Sequence, residues 1–157
     1  MSATLEALLA RDGYLVYKTR GVSMEPMLRQ KRDLVVIRVP ASRLKKYDVA
    51  LYRRGDAYVL HRVIAVKDDH YLIRGDNTYA LEHVPDAAVI GVLTGFQRKG
   101  KPHEATEWGY RCYVRLWQGI YPLRVFCLRS RGMAIRIARG MGLLPLLRRL
   151  FRKGNAV

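Results

Sequence analysis

The sequence predicts a mainly β protein built from antiparallel hairpins, with a short N-terminal helix and a basic helical tail. Several short segments rich in Val, Ile, Leu and Tyr are separated by turn-prone clusters, a pattern typical of strands. The last 50 positions contain no Asp or Glu. We therefore expect two parts, a β domain over 1–107 and a basic amphipathic helical tail over 108–157.

The elements of the β domain follow from local patterns. Leucines recur at helical spacing behind two candidate caps, Ser2 and Thr4, so a short helix is expected to open the chain and end at Gly13. The predicted strands cover residues 14–18, 34–39, 49–53, 58–66, 71–74 and 89–97.

The connections between these strands also carry information. Residues 53–56, Arg-Arg-Gly-Asp, and 67–70, Lys-Asp-Asp-His, both look like hairpin turns. This places the strand over 58–66 between two neighbours. Residues 95–107 contain two glycines, one proline and five charges, so we interpret them as the exit from the domain.

The net charge of +16 is concentrated in the tail. Residues 1–107 contain 18 basic and 13 acidic side chains, a difference of +5, whereas residues 108–157 contain 11 basic side chains and no acidic ones. Arg-rich helices that also contain Trp, Phe and Leu suit an anionic membrane surface, so 108–153 is predicted to attach there peripherally. An acidic partner is the second interpretation. Nucleic acid ranks third, because no recognition module accompanies the charge.

Other classes of protein are disfavoured. The N-terminus does not have the pattern of a secretory signal. The charge-free stretches of the tail reach 8 residues, whereas a spanning helix needs about 20. Pro122 and Pro145 should divide the tail into helical pieces. We expect a cytoplasmic protein, attached at most to the inner face of the membrane. Two cysteines, Cys112 and Cys127, cannot form a structural zinc site unaided, so no metal or cofactor is expected.

Three segments of the β domain combine residues suited to acyl transfer. They are Gly-Val-Ser-Met-Glu-Pro-Met-Leu at 21–28, Leu-His-Arg-Val-Ile at 60–64 and Arg-Gly-Asp-Asn at 74–77. A serine hydroxyl needs a base to take its proton, and imidazole titrates near neutral pH. Ser23 and His61 are therefore the candidate nucleophile and base. A carboxylate must orient the imidazole, and Asp76 and Glu82 are the candidates.

These segments, in this order, resemble the serine peptidases of the signal peptidase and repressor-autoprotease superfamily. The Ser-Met-x-Pro box at Ser23 is similar to the nucleophile segment, and 46–52 is similar to the strand that follows it. His61 matches the base of the histidine-using branch, and 75–77 matches the late Gly-Asp-Asn box. The resemblance covers about 14–97. It implies a signal peptidase/LexA-like β-fold and a serine endopeptidase that cleaves a peptide or a leader/signal-like segment.

The resemblance leaves the orienting carboxylate open. Relatives of the histidine branch place it in the Gly-Asp-Asn box or a few residues past it, which corresponds to Asp76 or Glu82. Aspartate is usual at the later position, so we rank Asp76 slightly ahead as a site residue, with either a catalytic or a structural role, and Glu82 is the alternative acid.

The resemblance also bears on the oxyanion hole and the substrate pocket. The backbone N–H of Ser23 is the expected oxyanion donor. Many relatives have a serine where this chain has Gly21, which implies a hole built from backbone alone. Met24 and Pro26 are expected to shape a pocket for small side chains, with the substrate bound as an added β-strand.

Two other functions are weighed against this hypothesis. A non-catalytic membrane-peripheral or peptide-binding module could have the same fold, although intact Ser23 and His61 argue against it. A self-cleaving repressor-type protease is less favoured, because only 22 residues precede Ser23.

Overall fold

The computed structural model describes residues 4–140 and contains two compact units, with the boundary between Val114 and Arg115. The first unit is built around an eight-stranded sheet in which every pairing is antiparallel. The described part of the second unit is helical. The mainly β class predicted from the sequence is confirmed.

The strands are β1 (Tyr14–Lys18), β2 (Leu34–Arg38), β3 (Val49–Arg54), β4 (Ala57–Val66), β5 (His70–Arg74), β6 (Glu82–Pro85), β7 (Val89–Arg98) and β8 (Lys101–Glu104). The α-helices are α1 (Leu5–Asp12), α2 (Trp108–Gly119) and α3 (Tyr121–Gly140). A short 3-10 turn, Asp86–Ala88, precedes β7.

All six predicted strands are present, each with ends within one residue of those expected. Two strands of four residues, β6 and β8, are absent from the prediction. β8 lies inside 95–107, so the interpretation of that segment as an exit needs correction. Both strands contain a proline and charged residues, which have low strand propensity. They form because β5 and β7 offer them a pairing edge.

The strands follow the order β1-β2-β7-β3-β4-β5-β6, and β8 pairs with β7. β4 lies between β3 and β5, as predicted. The turn between β3 and β4 is closed by the pair Arg54 and Ala57. Gly55 occupies the left-handed region in this turn, with φ of 59°.

Side chains from the two faces of the sheet enter separate apolar clusters. The period of two is visible along β3, where Val49 and Leu51 belong to the first cluster and Ala50 and Tyr52 to the second. α1 covers the first cluster with Leu9. It begins at the predicted cap Thr4, whose Oγ1 accepts the N–H of Ala7 at 3.2 Å. It ends at Gly13, also as predicted.

The helices after the sheet differ in their surroundings. In α2, Val114 is buried, and Tyr110 and Tyr113 pack against the first cluster. α3 begins beside Pro122, where a missing N–H has no cost, so the predicted helix break at this proline is confirmed. Pro145 lies outside the described residues.

Within 4–140, no helix combines the length and apolar character needed to cross a membrane.

Candidate active site

Ser23 lies in the compact turn region that connects β1 and β2. Gly21 enters this region with φ of 85°, and its N–H donates to Oε1 of Gln30 at 3.1 Å. The carbonyl oxygen of Ser23 accepts the N–H of Asn77 at 2.7 Å. The nucleophile segment is therefore tied by its backbone to the Gly-Asp-Asn segment.

Gly75 brings Ser23 and His61 together. A Cβ atom placed on Gly75 would lie 2.8 Å from the carbonyl oxygen of Ser23 and 3.1 Å from both Cβ of Ser23 and Nε2 of His61. Cβ of Ser23 and Nε2 of His61 are therefore separated by at most about twice 3.1 Å. Only a glycine leaves this space open.

The strand register explains the orientation of His61. His61 pairs with Ala50, and Val59 pairs with Tyr52, so Tyr52 is a diagonal neighbour of His61 on the same face of the sheet. The phenol oxygen of Tyr52 lies 3.3 Å from Nδ1 of His61. His61 is 6 % exposed, and Nε2 of its imidazole is on the side of Gly75 and Ser23.

Glu82, the first residue of β6, contacts the opposite nitrogen of the same ring. Its Oε1 lies 3.2 Å from Nδ1 of His61, and its Oε2 accepts the hydroxyl of Tyr52 at 2.9 Å. The Arg54 guanidinium donates to both carboxylate oxygens, at 3.3 and 3.2 Å. This carboxylate is held from three sides, so it can fix the ring with Nδ1 protonated and Nε2 free to accept a proton.

The surroundings of His61 favour the neutral imidazole. Burial lowers the pKa of His61 below its usual value, and the negative charge of Glu82 offsets part of this effect. A neutral imidazole is the form that can act as a base near neutral pH. Burial, together with the hydrogen bond to Glu82, raises the pKa of Tyr52, which therefore stays a protonated donor.

Asp76 takes part in a buried ion pair. Its two carboxylate oxygens accept from Nε and Nη2 of Arg62 at 2.8 and 2.6 Å, and both side chains are fully buried. Arg62 also donates to the carbonyl of Tyr47 and to the hydroxyl of Tyr110. Of the two candidate carboxylates, Glu82 is therefore the one placed on Nδ1 of His61. Asp76, which the sequence ranks slightly ahead as a site residue, is instead the counter-ion of Arg62.

The residues predicted to form the oxyanion hole and the substrate pocket differ in their surroundings. Within residues 4–140, the N–H of Ser23 donates to no protein acceptor, so it is free for an oxyanion. No atom comes within 4 Å of a Cβ placed on Gly21, and no side-chain hydroxyl is available at that position. Met24 is buried and lines the cleft beside Ser23, whereas Pro26 is not among the cleft-lining residues. The peptide bond between Glu25 and Pro26 is cis.

A cleft of about 780 Å³ opens over these residues. One wall is formed by residues 17–21 at the end of β1, and another by residues 57–61 of β4. Ser23, His61 and Glu82 all line it. β5 pairs with β4 only from Arg62 onward, so the other edge of residues 57–61 has no strand partner in the described chain. The cleft has the size and the open strand edge that an extended peptide requires.

Tyr52, Arg62 and Gly75 lie in segments that the sequence analysis singled out, but it gave none of the three a role in the site. Arg62 carried a usable signal, because a charge inside an apolar strand needs a buried partner. Tyr52 had no such signal, since a tyrosine in a strand is ordinary. The described residues contain no group of three or more His, Cys, Asp or Glu side chains able to hold a metal ion.

No family model matches the chain, and no curated protein matches its sequence. The motifs and the geometry of the cleft are therefore the basis for its function.

Proposed function

We propose that the protein is a serine endopeptidase with a fold of the signal peptidase and repressor-autoprotease type, acting on a peptide or a leader-like segment. The observation that carries the proposal is the position of the His61 ring. One ring nitrogen faces Gly75 and Ser23, and the other contacts Glu82. A nucleophile, a base and an orienting carboxylate in this order are what acyl transfer requires.

In the proposed reaction, Oγ of Ser23 attacks the scissile carbonyl carbon while Nε2 of His61 accepts the hydroxyl proton. The carboxylate of Glu82 stabilises the imidazolium that forms. The N–H of Ser23 stabilises the oxyanion. His61 then gives its proton to the departing amine, which leaves an ester between Ser23 and the acyl half of the substrate. A water molecule, deprotonated by His61, then attacks the ester carbonyl carbon. The bond to Oγ of Ser23 breaks as His61 returns the proton to Oγ, which releases the acyl half as a carboxylic acid and restores the enzyme.

The substrate is proposed to lie along residues 57–61 of β4 as an added strand. This part of β4 lines the cleft and lacks a strand partner on one side. Main-chain hydrogen bonds along such an edge would hold an extended peptide in register past Ser23.

Labelling with an acyl-directed serine probe tests the proposal. Wild-type protein should acquire one adduct, located on Ser23 by peptide mapping, and the Ser23→Ala and His61→Ala variants should acquire none. Ser130 provides a matched control, because it lies on α3 outside the cleft, and Ser130→Ala should label like wild type. Folded wild-type protein that resists the probe would favour the non-catalytic peptide-binding module.

A separate proposal concerns location, namely peripheral attachment to an anionic membrane on its cytoplasmic face. In α3, Leu123, Phe126 and Met133 are 65, 68 and 65 % exposed and fall on one side of the helix. Residues 108–140 contain seven arginines and no acidic side chain. Exposed apolar side chains beside basic ones are what an interfacial helix needs.

Flotation with vesicles containing anionic lipid tests this attachment. Wild-type protein should float, and the double variant Leu123→Asp/Phe126→Asp should not. Val39 is a matched control, since it is also exposed but lies outside α3, and Val39→Asp should float like wild type. Equal flotation of all three proteins, or flotation of none, would contradict the proposal.

A further inference from the structure

The charges that line the cleft are strongly unbalanced. Three cations, Lys18, Arg20 and Arg54, face it, against the single carboxylate of Glu82. This excess belongs to the sheet unit and is independent of the Arg-rich tail. A substrate bound in the cleft is therefore surrounded by net positive charge.

The single carboxylate is already engaged. Glu82 accepts from Arg54 and Tyr52 and contacts His61. It therefore compensates Arg54 and has no capacity left for the other two cations. Within residues 4–140, neither Lys18 nor Arg20 forms an ion pair, and both are exposed.

Lys18 and Arg20 are also well placed to recognise a bound chain. Lys18 is the last residue of β1, and Arg20 follows two residues later, directly before Gly21. Both line the same wall of the cleft, close in sequence to Ser23. An extended peptide repeats its side-chain direction every second residue. Two cations at this spacing match carboxylates at alternate positions of a strand running past them.

We infer that the cleft selects acidic peptides, with Asp or Glu side chains at alternate positions near the scissile bond bound by Lys18 and Arg20. The inference rests on the proposed peptidase function, since it names the substrate class of the same site. The high net charge of the whole chain would in addition speed the encounter with such a substrate.

Binding to the Ser23→Ala variant tests the inference without requiring hydrolysis. The probes are two dye-labelled decapeptides, one alternating Glu with Ala and the other alternating Gln with Ala, followed by fluorescence anisotropy in dilute buffer. The Glu peptide should bind about tenfold tighter, a size consistent with two partly exposed ion pairs. Equal affinity for the two peptides would overturn the inference.

Charge-reversal variants distinguish binding by the two cleft cations from attraction by the overall positive charge of the protein. In the Ser23→Ala background, Lys18→Glu/Arg20→Glu should abolish the preference for the Glu peptide. The double variant Lys67→Glu/Lys101→Glu makes the same change in net charge at exposed positions outside the cleft, so the preference should persist. Equal losses in the two double variants would assign the preference to overall charge and overturn the inference.

The outcomes distinguish this inference from the peptidase proposal. Probe labelling of Ser23 together with no peptide preference would reject acidic selectivity alone. A peptide preference that depends on Lys18 and Arg20, without labelling of Ser23, would reject the peptidase and support an acidic-peptide site.

Discussion

The carboxylate of Glu82 lies 3.2 Å from Nδ1 of His61, although the two residues are 21 positions apart and on strands that do not pair with each other. β5 separates their strands, and because Val63 pairs with Ile73 and Ile73 with Glu82, Glu82 lies in the row of Val63. His61 is two residues from Val63 along β4, so its side chain is on the same face of the sheet as Glu82. This contact makes Glu82 the carboxylate to which the peptidase proposal gives the orienting role.

Glu82→Gln should lower kcat by about 10²- to 10⁴-fold while folding is retained, because the amide cannot stabilise an imidazolium or enforce its tautomer. Steady-state cleavage of a peptide substrate measures the loss. Glu104→Gln, on the exposed strand β8, is the matched control and should behave like wild type. An unchanged kcat in Glu82→Gln would show that a group other than Glu82 orients His61.

The pH profile should reflect the buried imidazole. Since burial lowers the pKa of His61, kcat/KM should rise with pH through a midpoint below 6.5 and then level off. Glu82→Gln should move this midpoint to still lower pH, because the carboxylate favours the charged ring. A midpoint above 6.5 would contradict the environment described for His61.

The same shift has a consequence for stability. Folding disfavours the charged form of His61, so its contribution to stability is complete above pH 6.5 and is lost as the pH falls below that value toward the lower folded pKa. Urea unfolding at a series of pH values should show this dependence. It should be absent in His61→Gln.

Asp76→Asn should destabilise the fold by about 3–5 kcal/mol, because it leaves the buried charge of Arg62 without a counter-ion. Urea unfolding measures the change, and Arg62→Leu added to Asp76→Asn should recover part of it. Asp12→Asn, which removes the acid of an exposed pair with Arg11, should have little effect. A stable Asp76→Asn variant that no longer labels at Ser23 would instead indicate a direct role in the reaction.

Gly75→Ala should abolish labelling of Ser23 while the protein stays folded. The added methyl group would lie 2.8 Å from the carbonyl oxygen of Ser23 and fill the space between the nucleophile and the base. Gly109→Ala is the control, because no atom lies within 4 Å of the added Cβ in that helix. It should be active and slightly more stable, by about 0.5–1 kcal/mol. Full activity in Gly75→Ala would refute the proposed approach of Ser23 and His61.

The local pattern of the sequence determined the long strands, the first helix and the helix break at Pro122. Apolar and β-branched runs bounded by turn residues specify strands without knowledge of their partners. Thr4 and Gly13 fix the ends of α1 because caps act within one turn. The order of the Ser, His and Gly-Asp-Asn segments also identified Ser23 and His61 as the residues to examine.

Only the tertiary structure decided which carboxylate contacts the imidazole and what Asp76 does instead. Glu82 reaches His61 because β6 forms on the edge of β5, and a four-residue strand with a proline has no local signal of its own. Asp76 instead forms an ion pair with Arg62, because the guanidinium of Arg62 is buried in β4 and needs a counter-ion. Strand propensity is a local property, whereas register and charge compensation are settled between segments that meet only in the folded chain.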